Sequence, residues 1–202
     1  MKLYDEVSIE SLLARSSDEW TDLAFQNEPL RFHLDARRMR LLAEETRKDA
    51  RRKAEFYRDD FLRESYGSFA RQHGVCLTNR KPEYSSDAIL LAAFIEPNTI
   101  WLNKDRIQKA EEKLRQSSGI RLSHDQSLEA VFFAHEFYHF LEVIEPDLFS
   151  AAYRITTFSL GPIKNICRVK ALSEIGAMEF SKHICGLSFE PWILNSLIFK
   201  GN

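Results

Sequence analysis

The chain has 202 residues, of which 44% are hydrophobic and 29% are charged, and its formal net charge is −2. These values are ordinary for a folded protein, and they exclude a largely disordered chain and a uniformly basic nucleic-acid binder. No apolar run reaches the roughly 18 residues of a membrane span. Acidic residues stand near the N-terminus, where a signal peptide has cationic and apolar ones. We therefore expect a cytoplasmic protein with no membrane partner.

The three cysteines give a consistent indication of the compartment. Cys76, Cys167 and Cys185 are widely spread, lie among apolar neighbours and form no C-x-x-C pair. This spacing fits neither a zinc ribbon nor a redox motif. We expect free, buried thiols in a reducing compartment.

The first third of the chain is predicted to be helical. A short amphipathic pattern covers Val7 to Arg15, and a polar break follows at Ser16–Asp18. From Leu30 to His73 apolar residues recur at helical spacing, which predicts one long helix or two stacked helices. Residues 37–58 carry nine Arg or Lys against four acidic residues. A phosphate-binding face is one interpretation, but we favour a solvated helix with ion pairs such as Glu44–Lys48.

The middle third changes to the period of β-strands. Asp87–Ile95 and Thr99–Asn103 are short apolar runs separated by Glu96-Pro97-Asn98, a pattern typical of a β-hairpin. A third strand is predicted over Val75–Asn79. A charged helix is predicted to follow over Lys104–Gln116.

The last third returns to helical patterns. Ser123–Gln126 matches a capping box, which predicts a helix over Leu128–Glu142 that ends shortly before a proline. The following gap has room for an extra helix near Leu148–Thr156. Gly161-Pro162 then predicts the start of a long helix over Ile163–Cys185.

The helix over Leu128–Glu142 carries the motif H-E-x-x-H, formed by His135, Glu136 and His139. Each helical residue advances by about 100°, so the two imidazoles lie on one face and can hold one Zn²⁺ ion. Glu136 points beside the metal, where it can take a proton from a water molecule and pass it to a leaving amine. The alternative is a pair of core histidines with hydrogen-bond partners and no metal, but a buried Glu136 then has no evident task.

A catalytic zinc site needs a third protein ligand and one open position. Glu174 is the best choice, because Gly176 and Ala177 beside it let two helices approach closely. The alternative interpretation of Glu174 is a solvent-exposed helix carboxylate that binds no metal. Glu142 lies too close to His139 to reach around the metal, and we expect it to orient an imidazole instead. The remaining candidate ligands are Glu145, Asp147, Glu179, His124 and His183.

Three segments together resemble the ImmA/IrrE family of bacterial and phage zinc-metallopeptidase-like proteins. They are a strand ending in Asn (Ile100–Asn103), the H-E-x-x-H helix (Ala134–His139) and the E-x-x-A-x-x-F pattern of Glu174–Ser181. The match covers roughly residues 75 to 190. One departure is Phe137-Tyr138, where the family usually has Leu-Gly, which leaves less room against a neighbouring helix.

The resemblance implies a gluzincin-like metallopeptidase with one Zn²⁺ per chain. By this likeness His135, His139 and Glu174 are the zinc ligands and Glu136 is the catalytic glutamate. The substrate is then a protein or peptide, in particular a regulatory protein such as a transcriptional repressor. We further expect the strand over Ile100–Asn103 to pair with an extended substrate.

A donor to the developing oxyanion is also needed. We name Tyr153 as this second catalytic residue, with Arg154 and Tyr138 as alternatives. Other functions stay open. A catalytically inactive, zinc-binding relative with a regulatory or interaction role is the main one, and a non-peptide hydrolase or a helix-mediated nucleic-acid partner is less favoured.

The predicted fold is α+β and mostly helical. A small antiparallel or mixed sheet is expected to pack on a zincin-like core of two helices that carries the active site. Residues 1–74 are expected to form an N-terminal helical region, and residues 75–202 the metallopeptidase domain. The alternative is that both form one compact unit.

Overall fold

The computed structural model describes residues 9–82, 90–116, 120, 122, 127–161 and 163–194, and the fold is α+β and mostly helical, as predicted. The helices of the described residues are α1 (Ile9–Leu13), α2 (Ser17–Gln26), α3 (Ala36–Arg63), α4 (Tyr66–Gln72), α5 (Lys104–Gln116), α6 (Leu128–Ile144), α7 (Phe149–Ala152) and α8 (Lys170–Ile184). The strands are β1 (Cys76–Thr78), β2 (Ala92–Ile95), β3 (Thr99–Leu102), β4 (Arg154–Leu160) and β5 (Ile163–Arg168).

The N-terminal helices begin at side-chain caps. The predicted polar break at Ser16–Asp18 is the start of α2, because Ser16 and Glu19 form a reciprocal capping box. The region from Leu30 to His73 is not one helix: a 3₁₀ turn over Pro29–His33 precedes α3, which Asp35 caps. A second helix, α4, follows, so the stacked alternative is the one that the structure shows.

The predicted hairpin and third strand are confirmed. β2 pairs antiparallel with β3, and β1 pairs parallel with the other side of β3, so the strand order is β1-β3-β2. Our expectation that Ile100–Asn103 pairs with a substrate is wrong, because β3 already has a neighbour on each side. Among the strands of the described residues, β2 is an edge strand of this sheet, and it contacts α6. The part of the hairpin prediction over residues 87–89 lies outside the described residues.

The two helices with the candidate site pack against each other. α6 lies on β2 and β3 and contacts α8 along its other side. Ser127 caps α6 by accepting a hydrogen bond from the Ala130 amide, while the predicted capping residues Ser123–Gln126 lie outside the described residues. The helix ends before Pro146, as predicted.

The largest error concerns Ile163–Cys185. Ile163–Arg168 is a strand that pairs antiparallel with β4, and the helix α8 begins only at Lys170. The extra helix expected near Leu148–Thr156 is limited to Phe149–Ala152, because the strand β4 begins at Arg154. The residues flanking Gly161 are rich in Ile, Thr and Phe, which favour strands, and Gly161 adopts a φ of 59° in the turn. Pro162 lies outside the described residues.

The core connects the N-terminal helices with the rest of the chain. One buried cluster joins Phe61 and Phe69 to Phe133 and Phe137 of α6. A second joins α3 to α8, with Leu42 and Ala43 against Leu172 and Ile175. Among the described residues, no helix combines the length and the apolar character that crossing a membrane requires.

Candidate metal centre

The structure brings together the three predicted metal ligands. Facing one another on a single turn of α6, the Nε2 atoms of His135 and His139 lie 3.3 Å apart. Glu174 on α8 points at the same spot: its Oε2 is 3.5 Å from His135 Nε2 and its Oε1 is 3.7 Å from His139 Nε2. The histidine side chains are mostly buried, whereas that of Glu174 is 50% exposed. The cluster therefore opens to solvent on the carboxylate side.

These distances can be compared with those in a zinc tetrahedron. Zn–N bonds of about 2.0–2.1 Å at the tetrahedral angle place two ligand atoms about 3.3–3.4 Å apart. The separation of 3.3 Å between the two histidine nitrogens matches that edge. The two Glu174 oxygens lie 3.5 and 3.7 Å from different histidine nitrogens, and one ligand atom from each of the three residues lies within 4.8 Å of the other two. Two imidazole nitrogens and one carboxylate oxygen are also a ligand set that zinc uses in catalytic sites. The residues present therefore fit a zinc ion with one position left open.

Glu136 lies beside this cluster and is held by the sheet. Its side chain is buried, and its Oε2 accepts a hydrogen bond of 2.7 Å from the amide of Phe94 on β2. Because β2 is one of the two edge strands of this sheet in the described part of the chain, this contact ties the carboxylate to a sheet edge. Sequence reasoning placed Glu136 beside the metal but did not foresee that a backbone amide fixes it.

Glu142 orients His139, as we expected from its spacing. Its Oε2 is 3.3 Å from His139 Nδ1 and accepts a hydrogen bond of 2.5 Å from the Ser173 hydroxyl. Its Oε1 accepts a hydrogen bond of 2.6 Å from Ser150 and forms an ion pair with Arg168. A carboxylate beside Nδ1 favours the tautomer that has its proton there, which leaves the Nε2 lone pair for a metal.

The charges around the histidines give the cluster a negative potential. Burial alone would lower the pKa of His139, but the hydrogen bond with Glu142 and the charges of Glu136 and Glu174 raise it to about 9. Burial opposes ionisation of Glu174, yet the hydrogen bond and charge of His135 bring its pKa well below the usual range. The acidic residues around the histidines therefore favour a cation at this site, and a proton and a metal ion would compete for the ring nitrogens.

A single glycine allows α6 and α8 to approach closely. A Cβ atom at Gly176 would lie 2.4 Å from the hydroxyl of Tyr138 and 2.5 Å from two carbons of its ring. Tyr138 is one of the two residues that replace Leu-Gly in the family pattern, and Gly176 provides the room that its ring needs. The predicted close approach at Gly176 is thus confirmed, with Tyr138 as the side chain that requires it.

The helix that carries Glu174 is held at both ends by partners that sequence reasoning missed. Glu28 is buried, and its Oε2 accepts a hydrogen bond of 2.8 Å from the Ala171 amide in the first turn of α8. Near the other end, Glu179 forms ion pairs with Arg51 at 2.9 Å and with Arg47 at 3.9 Å. The sequence separations are so large that no local pattern indicates these contacts.

The other candidate ligands have different partners. Glu179 also lies 3.0 Å from His183 Nε2, and Glu145 forms an ion pair with Lys53. Asp147 lines a shallow groove beside α3 and α7, and His124 lies outside the described residues.

Tyr153, the predicted oxyanion donor, stacks on Phe149, and its hydroxyl accepts a hydrogen bond of 3.4 Å from Arg38. None of its described contacts is with the histidine pair, so its catalytic role stays a prediction.

The basic segment of α3 is partly structural, which differs from the solvated helix that we favoured. Arg47 is buried and donates hydrogen bonds to the Thr21 hydroxyl at 2.7 Å and to the Ser17 carbonyl. Glu44 forms its ion pair with Arg51 at 2.6 Å, not the expected one with Lys48. The cysteines also differ from expectation, since Cys185 alone is buried and Cys76 is exposed.

No protein-family model matches the sequence, and neither a curated protein nor a solved structure matches it. The resemblance to the ImmA/IrrE family therefore stays a prediction, and the geometry of the centre carries the functional argument.

Proposed function

We propose that the protein is a zinc-dependent metallopeptidase that hydrolyses a peptide bond, with a regulatory protein such as a transcriptional repressor as substrate. One observation carries this proposal: His135 Nε2, His139 Nε2 and the Glu174 carboxylate converge, with one ligand atom from each residue within 4.8 Å of the others and the two nitrogens separated by the edge of a zinc tetrahedron. The resemblance in sequence supports the same reaction. His135, His139 and Glu174 would hold the ion.

Zinc at such a centre supplies Lewis acidity, which strengthens water as a nucleophile at neutral pH and polarises a carbonyl group. The chain's own residues would supply the proton transfers. Glu136, fixed by the Phe94 amide, can accept a proton on its carboxylate from the attacking water and donate it to the leaving amine. The edge of β2 beside it can pair with an extended peptide. Glu142 keeps the His139 ring in place during these steps.

A second candidate function is zinc binding without hydrolysis, in a regulatory or interaction role. It is favoured by the burial of Glu136 and by its hydrogen bond to Phe94, which together restrict the approach of water to this carboxylate. The two functions share the metal ligands and differ only in what Glu136 does. A substitution at this residue therefore separates them.

The first test is the metal content of untagged protein, measured by plasma mass spectrometry. We expect about one zinc per chain in the wild type, and a near-complete loss of zinc in the double variant that combines His139→Ala with Glu174→Ala. Glu112→Ala on α5 is the matched control, because this exposed glutamate lies on a different helix. A zinc content near zero that added Zn²⁺ does not restore would overturn both candidate functions.

The second test is cleavage. The protein is incubated with a peptide library made from a bacterial proteome, and new N-termini are identified by labelling and mass spectrometry. We expect the wild type and Glu112→Gln to generate the same new termini, and Glu136→Gln to retain zinc but generate none. If Glu136→Gln cleaves as the wild type does, the proposed role of Glu136 is wrong. If the wild type binds zinc and cleaves nothing, the second candidate function is supported.

A further inference from the structure

The ribbon formed by β4 and β5 (residues 154–168) exposes large apolar side chains. Phe158 is 55% exposed, Leu160 66% and Ile163 65%, all of them near the turn. Single exposed apolar residues are common on protein surfaces, but a contiguous group of this size typically marks an interaction site. Arg168, at the far end of the ribbon, contributes to the proposed metal chemistry through its ion pair with Glu142. The exposed apolar side chains near the turn have no role in that chemistry, so they need a separate explanation.

The pairing register assigns these side chains to one face. Phe158 pairs with Asn165, and Leu160 pairs with Ile163. Directly paired residues share a face and neighbours along a strand alternate, so Phe158, Leu160 and Ile163 lie on the same face. Lys164 and Arg168 lie on the opposite face of β5. Near the turn the ribbon is therefore apolar on one face, and on the other it carries Ser159 and Lys164. Further from the turn, this second face also carries Ile166, which is 57% exposed, beside Arg168.

The charge of this part of the chain is one-sided. No Asp or Glu occurs between Asp147 and Glu174, although the same stretch holds four Arg or Lys residues and the whole chain has a net charge of −2. Those four residues are Arg154, Lys164, Arg168 and Lys170. Arg168 forms an ion pair with Glu142, whereas Lys164 is exposed on the ribbon. A binding partner for this surface should carry negative charge.

The ribbon also has an open edge. In the described part of the chain, β4 and β5 form a sheet of two strands and pair only with each other. β4 is interrupted by a register shift between Thr156 and Phe158, whereas the register of β5 is regular from Ile163 to Arg168. A regular edge strand with unpaired backbone amides and carbonyls can accept a further strand.

We infer that the outer edge of β5 binds an extended segment of a partner protein in which apolar and acidic residues alternate. The added strand would place its apolar side chains on the face of Ile163 and Phe158, and its acidic side chains on the face of Lys164. At the turn end of the ribbon this alternation matches the apolar face of Ile163 and the opposite face, where Lys164 pairs with Ser159. This docking surface is separate from the metal centre and does not depend on hydrolysis.

Two other occupants fit the same observations less well. A second copy of the chain would bring its own basic ribbon, so Lys164 of each copy would meet like charge. An anionic bilayer would attract the basic face, but it offers no backbone groups to pair with the open edge of β5. An extended acidic segment satisfies the apolar face, the charges and the edge together.

The inference can be tested with fluorescein-labelled peptides of about eight residues, the length of a typical strand. One peptide alternates Val and Glu, a second alternates Val and Lys, and a third has the composition of the first but groups its Val and Glu residues. Binding to the full-length protein is measured by fluorescence anisotropy, and the position of the bound peptide by hydrogen exchange. We expect the first peptide to bind at least about tenfold more tightly than the other two and to protect the amides of β5.

Variants at exposed positions make the test specific. Lys164→Glu should reverse the preference between the acidic and basic peptides, and Ile163→Ser should weaken binding about tenfold. The matched controls are Lys104→Glu on α5 and Phe56→Ser on α3, which alter exposed residues far along the chain and should bind as the wild type does. Glu136→Gln should also bind normally, so failure of the docking inference and failure of the proposed hydrolysis are distinguishable.

Several results would overturn the inference. One is peptide binding that Lys164→Glu leaves unchanged. Another is a concentration-dependent dimer that Ile163→Ser abolishes, which would indicate a second copy on this surface. A third is co-sedimentation with phosphatidylserine vesicles that depends on Phe158 while no peptide binds, which would indicate a bilayer.

Discussion

Replacing Gly176 with alanine tests the packing that brings Glu174 to the histidines. The new Cβ would lie 2.4 Å from the Tyr138 hydroxyl, whereas an ordinary contact needs about 3.4 Å, so the ring must move by about 1 Å. Tyr138 is fully buried, and its hydroxyl is 2.9 Å from Ser150 Oγ. The ring therefore cannot move without disturbing that hydrogen bond.

The expected cost follows from three contributions. Overpacking in a close-packed core costs about 1–3 kcal/mol. Loss of a buried hydrogen bond adds about 1 kcal/mol, and the better helix propensity of alanine returns about 1 kcal/mol. We expect Gly176→Ala to lower the free energy of unfolding by about 1–3 kcal/mol, measured by urea denaturation. Zinc affinity should fall as well, because the clash between Gly176→Ala and Tyr138 also pushes α8, and Glu174 with it, away from His135.

Two comparisons make the result interpretable. Gly67→Ala is the matched control, since the nearest atoms to a Cβ there lie at 3.9 and 4.0 Å, and its effect should be between zero and a slight stabilisation. In a Tyr138→Ala background the cost of Gly176→Ala should largely vanish, because the clashing ring is gone. The packing argument fails if Gly176→Ala is as stable as the wild type, or if its cost is the same in both backgrounds.

Three further predictions concern residues around the site. Glu28→Ala should lower the free energy of unfolding by about 1–3 kcal/mol, because the backbone amides of Leu30 and Ala171 lose their buried acceptor. An unchanged midpoint of urea denaturation would contradict this. Glu142→Gln should weaken zinc binding about 10- to 100-fold, measured by competition with a chelating dye, and an unchanged affinity would show that Glu142 does not orient His139. A thiol reagent added to the native protein near pH ~8 should modify the exposed Cys76 and spare Cys185. The reason is that burial raises the pKa of the Cys185 thiol to about 12. Rapid labelling of Cys185 would contradict its burial.

The sequence was sufficient for features that depend on local periodicity. The α6 helix, the hairpin of β2 and β3 and the helix α5 follow from apolar spacing and turn residues, and the structure confirms them. The convergence of His135 and His139 follows from their spacing on a helix. Glu174 required the small residues after it and the resemblance to a family, because its position depends on how two separate helices pack.

The errors arose where two local signals compete. Gly161 and Pro162 are typical both of a turn and of the start of a helix, and only the residues around them decide between the two. Ile163–Arg168 contains two isoleucines, which favour a strand, and its pairing with β4 settles the outcome. Arg47 was misjudged for a different reason. Its burial against Thr21 is a tertiary contact between two helices, which a charge pattern along one helix cannot show.

The N-terminal helices contribute directly to the geometry of the metal centre. Glu28 caps the first turn of α8, and Arg47 and Arg51 are the cationic partners of the buried Glu179 near its other end. In residues 75–202 alone, α8 would lose this cap, and its apolar side chains Leu172 and Ile175, which pack on Leu42 and Ala43 of α3, would be exposed to water, which is strongly destabilising.

We therefore expect a fragment of residues 75–202 to unfold without a cooperative transition. It should also bind no stoichiometric zinc at concentrations that saturate the full chain, because Glu174 is brought to the histidines by α8. Circular dichroism in urea and metal analysis measure the two properties, with the full chain as control. A fragment that unfolds cooperatively and binds one zinc would show that α6, α8 and the sheet form the centre without α3. The contacts of Arg47 and Arg51 would then serve only to attach the N-terminal helices.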